Sequence, residues 1–203
     1  MKSARALKGL LLFHGAGSDR DHSSLLQIEH DLAPLPVRRA NFAYRSAGKR
    51  PPDRAPVLLE TVRDEAVAFA TERHSSTRAL VLGGRSMGGR ICSMAVAGGD
   101  DIGVAMPAAG LVLIAYPLHP PGQPDKLRVE HLARLSVPCL FIHGTRDPFG
   151  SPDELRRWTA TIPAKVDHVW LPGKTHDLKG CDADIAAAVS GWMLDLRVAL
   201  ARG

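Results

Sequence analysis

Short apolar runs alternating with helix-compatible stretches predict a doubly wound α/β fold: a mostly parallel sheet of about six strands, helices on both faces, and no cap domain. Three observations carry this. Six apolar runs lack the in-out alternation of a half-buried strand, so they read as strands covered on both faces. A helical pattern separates each run from the next. No long insertion divides Ala115 from Cys139, where a lid would have to enter. At 203 residues, the chain fits a single domain over residues 1–203.

The elements follow in order. Gly9–Phe13 reads as the first strand, Ser23–Leu32 as a helix and Val37–Phe42 as the second strand. Tyr44–Pro56, with Gly48, Pro51, Pro52 and Pro56 among basic residues, reads as a surface loop before the helix Pro56–Arg73. The strand Ala79–Leu82 runs into a helix over Ser86–Ala97, and the strand Leu111–Ala115 follows. Tyr116–Pro124 holds four prolines and a glycine, which exclude regular structure. The helix Lys126–Leu135, the strand Cys139–Ile142, the helix Pro152–Thr161, the strand His168–Leu171 and the helix Ala183–Leu200 complete the chain. Open α/β sheets bind at the carboxyl ends of their strands. The loops Ala16–Asp21, Tyr44–Arg54 and Tyr116–Pro124 are therefore expected to border a shallow cleft.

Composition narrows the partners. The formal net charge of +5 comes from 26 Lys+Arg against 21 Asp+Glu, scattered singly or in pairs such as Arg38-Arg39 and Arg156-Arg157 with acids between them. No stripe tracks a phosphate backbone, so no nucleic-acid partner is expected. Cys92, Cys139 and Cys181 are odd in number and far apart, which forms neither a disulfide framework nor a zinc site. Lys2, Arg5 and Lys8 give the N-terminus a positive character, but Gly9–Phe13 is too short for the apolar part of a signal peptide. No run is long enough to span a bilayer. The expectation is a soluble cytoplasmic protein with no membrane partner.

The most informative stretch is Leu80-Val81-Leu82-Gly83-Gly84-Arg85-Ser86-Met87-Gly88-Gly89-Arg90-Ile91. Gly84-Arg85-Ser86-Met87-Gly88 matches G-x-S-x-G between a strand and a helix. A serine on so sharp a turn crowds the positions two before and two after it, which explains glycine at both. The hydroxyl then projects from the sheet edge, and the following helix aims its positive end at an oxyanion. A phosphate-binding loop fails because Arg90 and Ile91 stand where Lys and Ser/Thr belong. A purely structural glycine-rich turn remains the competing reading of these residues alone.

Residues downstream favour chemistry. A serine nucleophile needs a base and an acid that orients it, in the order Ser, Asp/Glu, His when it sits on such a turn. Asp147 follows the strand Cys139–Ile142, and His176 follows the strand His168–Leu171. Asp147 could instead cap the helix near Pro152, with Asp167 or Asp177 as the acid. Upstream, His14-Gly15-Ala16-Gly17 is similar to the segment that supplies one backbone N–H to an oxyanion hole. That assigns the main-chain N–H groups of Ala16 and Met87 as donors. A dinucleotide fingerprint is excluded because Arg20 occupies the third glycine position and no acid ends Val37–Phe42. His14, Arg85 and His119 are further candidates for the pocket, His14 also as support for the Ala16 loop. No Asp/His/Glu cluster has ligand spacing, so neither a catalytic metal nor a cofactor is expected.

Together, His14–Gly17, Gly84–Arg90, Tyr116–Gly122, Gly144–Gly150 and Thr175-His176 resemble the small α/β hydrolases related to dienelactone hydrolase, in particular the testis-expressed-protein-30-like group. The resemblance spans nearly the whole chain. It implies an α/β-hydrolase fold, from which this chain is expected to depart in that the antiparallel strands usually preceding the strand with His14 are absent or much reduced. It also implies a serine hydrolase, a carboxylesterase acting on small soluble esters through Ser86, His176 and Asp147. Some relatives serve as binding subunits, so a catalytically silent interaction module is the alternative.

Overall fold

Strand and helix alternate along the chain as the apolar runs require. The computed structural model describes residues 6–202; Lys2 and Arg5 lie outside them. Six strands form one parallel sheet: β1 (Gly9–Phe13), β2 (Val37–Ala40), β3 (Leu80–Arg85), β4 (Gly110–Ile114), β5 (Cys139–Gly144) and β6 (Val166–Leu171). Between them lie α1 (Ser23–Asp31), α2 (Ala43–Ser46), α3 (Ala55–Glu72), α4 (Met87–Ala97) and α5 (Pro152–Thr159), with α6 (Asp182–Arg202) last. The strand order β2-β1-β3-β4-β5-β6 reverses direction beside β1. A crevice therefore opens between the carboxyl ends of β1 and β3, where such sheets place ligands.

Alternate side chains of each strand enter opposite cores, the period-two consequence of the pleat. Leu11, Phe13, Leu82, Leu113 and Phe141 pack with α3, α4 and Leu155 of α5. Leu10, Leu12, Val81, Val112 and Ile142 pack with Leu25 and Ile28 of α1 and with Ile185, Val189 and Met193 of α6. Both faces of the central strands are thus sealed, which is why their sequences are apolar throughout. No cap stands over the carboxyl edge among the described residues.

Five readings need correction. Lys126–Leu135 is not a helix; only Leu132–Arg134 forms a 3₁₀ turn. The Arg128 N–H bonds the Leu118 carbonyl at 2.9 Å and its own carbonyl accepts from Tyr116 Oη at 2.8 Å, so tertiary bonds take the groups a helix would use. Within Tyr44–Pro56 lies the end of α2, and Phe42 caps that helix instead of extending β2. β3 continues through Gly83 and Gly84 to Arg85 and pairs with both neighbours. Finally, the cap of α5 is Ser151, joined to Glu154 in a reciprocal capping box, so Asp147 is free of that duty.

Candidate active site

Ser86 sits between the last residue of β3 and the first of α4, at φ 47° and ψ −116°. An L-residue there is strained, and strain of this kind persists only where the surroundings enforce it. They do so here. The Ser86 N–H is held by the Ile114 carbonyl at 2.8 Å, and the Ser86 carbonyl accepts from the Arg90 N–H at 3.1 Å. The glycines are needed because a Cβ on Gly84 or on Gly88 would run into the Phe13 carbonyl of β1. The crowding inferred from the motif therefore has a named wall.

His176 Nε2 lies 2.8 Å from Ser86 Oγ, and His176 Nδ1 lies 2.8 Å from Asp147 Oδ2. A carboxylate only accepts, so Nδ1 carries the proton and donates. Nε2 is then the lone-pair nitrogen and accepts the serine O–H. The Asp147 side chain is fully buried, and its other oxygen accepts from the Phe149 N–H at 2.8 Å. Phe149 also stacks on the imidazole of His176, with centroids 3.9 Å apart. Asp167 bonds Trp192 Nε1 and Lys165, while Asp177 is turned to Thr175 and the Lys179 N–H. Neither orients His176.

The loops bearing Asp147 and His176 are joined directly. The Arg146 N–H bonds the Lys174 carbonyl at 2.9 Å, and the Gly173 N–H donates to Thr145 Oγ1 at 2.8 Å. His143 lies beside Asp147: its Nε2 donates to the Gly150 carbonyl at 2.8 Å and stands 3.5 Å from Asp147 Oδ2. Burial holds this imidazole below the usual histidine range, against the opposing charge of Asp147. Its Nε2–H is fixed by the Gly150 carbonyl.

The N–H groups of Ala16 and Met87 have no hydrogen-bond acceptor among the described residues, and both residues line a cavity of about 610 Å³ with Ser86 and His176. Tyr44 Oη donates to the Ala16 carbonyl at 2.8 Å and so fixes that loop. Tyr44 acts from beneath, as a buried side chain. The segment Tyr44–Arg54, expected at the rim, contributes no wall to the cavity; Pro117 represents Tyr116–Pro124 there.

The three further candidates separate. Arg85 reaches the cavity wall, but its Nη2 donates to the Asp177 carbonyl at 2.8 Å and approaches the His176 carbonyl at 3.5 Å. It holds the loop that carries His176. His14 is fully buried and lies outside the pocket: Nδ1 donates to the Gly15 carbonyl at 2.7 Å and Nε2 accepts the Phe42 N–H at 3.2 Å. Burial lowers its basicity, in keeping with this neutral form. His119 also lies outside the pocket, against the Pro120 carbonyl at 2.9 Å and Glu154 at 3.6 Å. Sequence reasoning gave no pocket role to Arg90, Phe149, Arg128 and His22, which line the cavity; the first two stand within the Gly84–Arg90 and Gly144–Gly150 stretches, the others in segments with no motif of their own. Among the described residues, no three His, Cys, Asp or Glu side chains are grouped to hold a metal ion. No helix there is long and apolar enough to cross a membrane.

A family model described as alpha/beta hydrolase domain matches residues 6–188. Est1E from Butyrivibrio proteoclasticus, solved with ferulic acid bound, is similar with a TM-score of 0.74 at 15% identity, over 96% of this chain and 91% of that one. An alpha-beta serine hydrolase homologue from Coxiella burnetii gives 0.70 at 14% identity, over 93% and 86% of the two chains. Dienelactone hydrolase from Anabaena variabilis gives 0.69 at 18% identity, over 93% and 87%. At these identities the likeness is one of fold.

Proposed function

The chain belongs to the alpha/beta hydrolase family, and we propose that it is a serine hydrolase, a carboxylesterase of the dienelactone-hydrolase-related, testis-expressed-protein-30-like group acting on small soluble esters. The observation that supports this most strongly is the continuous relay from Ser86 Oγ through His176 to Asp147, with both contacts at 2.8 Å. An interaction module has no use for a strained serine aimed at an imidazole lone pair.

In this reading His176 Nε2 takes the serine proton as Oγ attacks the ester carbonyl. Asp147 holds the tautomer and stabilises the imidazolium without accepting its proton. The N–H groups of Ala16 and Met87 receive the oxyanion, and a single such donor can contribute about 3 kcal/mol to the transition state. The imidazolium then protonates the departing alcohol, leaving an acyl-Ser86. Water, deprotonated by the same imidazole, releases the acid. Because the cavity has no cap, short acyl groups are expected to be preferred over long ones. Hydrolysis of p-nitrophenyl esters of increasing chain length tests this. Turnover that vanishes in Ser86→Ala supports the proposal; turnover rising steadily with chain length, or surviving in that variant, contradicts it.

A further inference from the structure

The Ser86 cavity is lined by two guanidinium groups without a carboxylate partner among the described residues. Arg90 and Arg128 both line the Ser86 cavity, together with the apolar residues Met87, Pro117 and Phe149. They also share an adjoining cleft with Asp100, Asp101, Glu130, His131 and Arg134. Neither arginine has a carboxylate within 4.0 Å among the described residues. Arg90 Nε is buried with no hydrogen-bond partner, and its one side-chain polar contact is Nη1 with Met94 Sδ at 3.3 Å. Burial above all holds Arg90 below the ordinary guanidinium range, Arg128 adding to this while Tyr116 and Glu130 oppose it.

The main chains beneath them are pinned. Ser93 Oγ donates to the Arg90 carbonyl at 2.8 Å, and Tyr116 Oη donates to the Arg128 carbonyl at 2.8 Å. Both hydroxyls meet at His131 Nε2, 2.8 Å from Ser93 Oγ and 3.5 Å from Tyr116 Oη. One buried polar cluster thus fixes the backbone of two like-charged residues side by side. Desolvating a guanidinium beside a second one is unfavourable unless an anion completes the site. Arg90 stands one helical turn from Ser86, about 6 Å along α4, which puts such an anion within the span of a small ester.

Accepting the serine-hydrolase reading of Ser86, we infer that Arg90 and Arg128 form a carboxylate-binding subsite, so that the preferred substrates are small esters bearing a carboxylate. Planar guanidinium groups suit a carboxylate because each can present paired donors to its two oxygens.

The test compares p-nitrophenyl pentanoate with mono-p-nitrophenyl glutarate, whose carboxylate lies on the acyl side, and with 4-carboxyphenyl pentanoate, whose carboxylate lies on the alcohol side. Wild type is expected to favour one of the anionic esters by roughly tenfold or more in kcat/KM. Arg90→Met and Arg128→Met should bring that ratio towards one, and Arg128→Glu should invert it. Since Tyr116 and Leu118 hold Arg128 through its main chain, the Arg128 variants keep the test open if Arg90→Met fails to fold. A ratio near one for both anionic esters, or one unchanged in the Arg128 variants, overturns the subsite. Calorimetric binding of monomethyl glutarate to Ser86→Ala protein needs no turnover, and its absence also overturns the subsite. Binding that is intact in Ser86→Ala and lost in Arg128→Glu, alongside a wild-type chain that hydrolyses no ester, retains the subsite and refutes the hydrolase reading alone.

Discussion

Two arginines flank Ser86 in sequence and behave differently in space. Arg85, one residue before it, donates to main-chain carbonyls of the loop that carries His176. Arg90, four residues after it, has a buried Nε with no partner. The first is bound to the protein's own backbone and positions something; the second is left open to something absent from the chain. The difference shows how to read a charged residue in a pocket: its partners decide its role, and proximity to Ser86 does not.

The largest effects should come from the relay between these arginines. Ser86→Ala or His176→Ala should lower kcat on the order of 10⁶, with the double variant little worse because the groups act as one unit. Asp147→Asn should lower it about 10⁴-fold, since the amide can favour the wrong imidazole tautomer. Steady-state kinetics on the same ester check all four proteins. Full activity in Asp147→Asn would move the orienting role to another group and break the comparison at its paired side.

The arginines themselves give the next effect. Arg85→Met removes the donor that holds the half-buried carbonyls of His176 and Asp177 and should destabilise by about 1 kcal/mol, whereas Arg90→Met removes an uncompensated charge and should be neutral or stabilising. Urea unfolding of the two variants decides this. Equal destabilisation would mean that Arg90, too, is held by the fold.

A smaller effect lies beneath the unpaired side. Burial holds His131 far below the ordinary histidine range, down to about 3. Its folded-state value lies beneath its unfolded one, so the unfolded chain binds the proton first. Stability is complete above about pH 6.5 and declines as pH falls towards 3. Between pH 7 and pH 5 the loss from His131 should be on the order of 2 kcal/mol, with His14, His143 and His168, shifted in the same direction chiefly by burial, adding to it. Urea midpoints at the two pH values, with His131→Gln showing a shallower decline than wild type, check the sign.

Paired and unpaired sides were unequally legible in the sequence. The six strands, and Ser86, Asp147 and His176 after three of them, follow from apolar runs and a motif whose glycines have a steric cause. Arg90 stood inside that motif without a role, because the absence of a partner is a property of three dimensions. Arg128 was hidden in a run, Lys126–Leu135, whose helical spacing is overridden by bonds to Tyr116 and Leu118. His119 misled for the converse reason: its loop follows a strand carrying the site, yet the ring turns to Pro120 and Glu154.

The central claim is that Ser86 is a nucleophile activated by His176, and reaction with a fluorophosphonate followed by mass spectrometry tests it without knowledge of the substrate. The account predicts one phosphonyl group per wild-type chain, mapped to Ser86, and none in Ser86→Ala or His176→Ala. An unlabelled wild-type chain, or labelling that persists in Ser86→Ala, would contradict it.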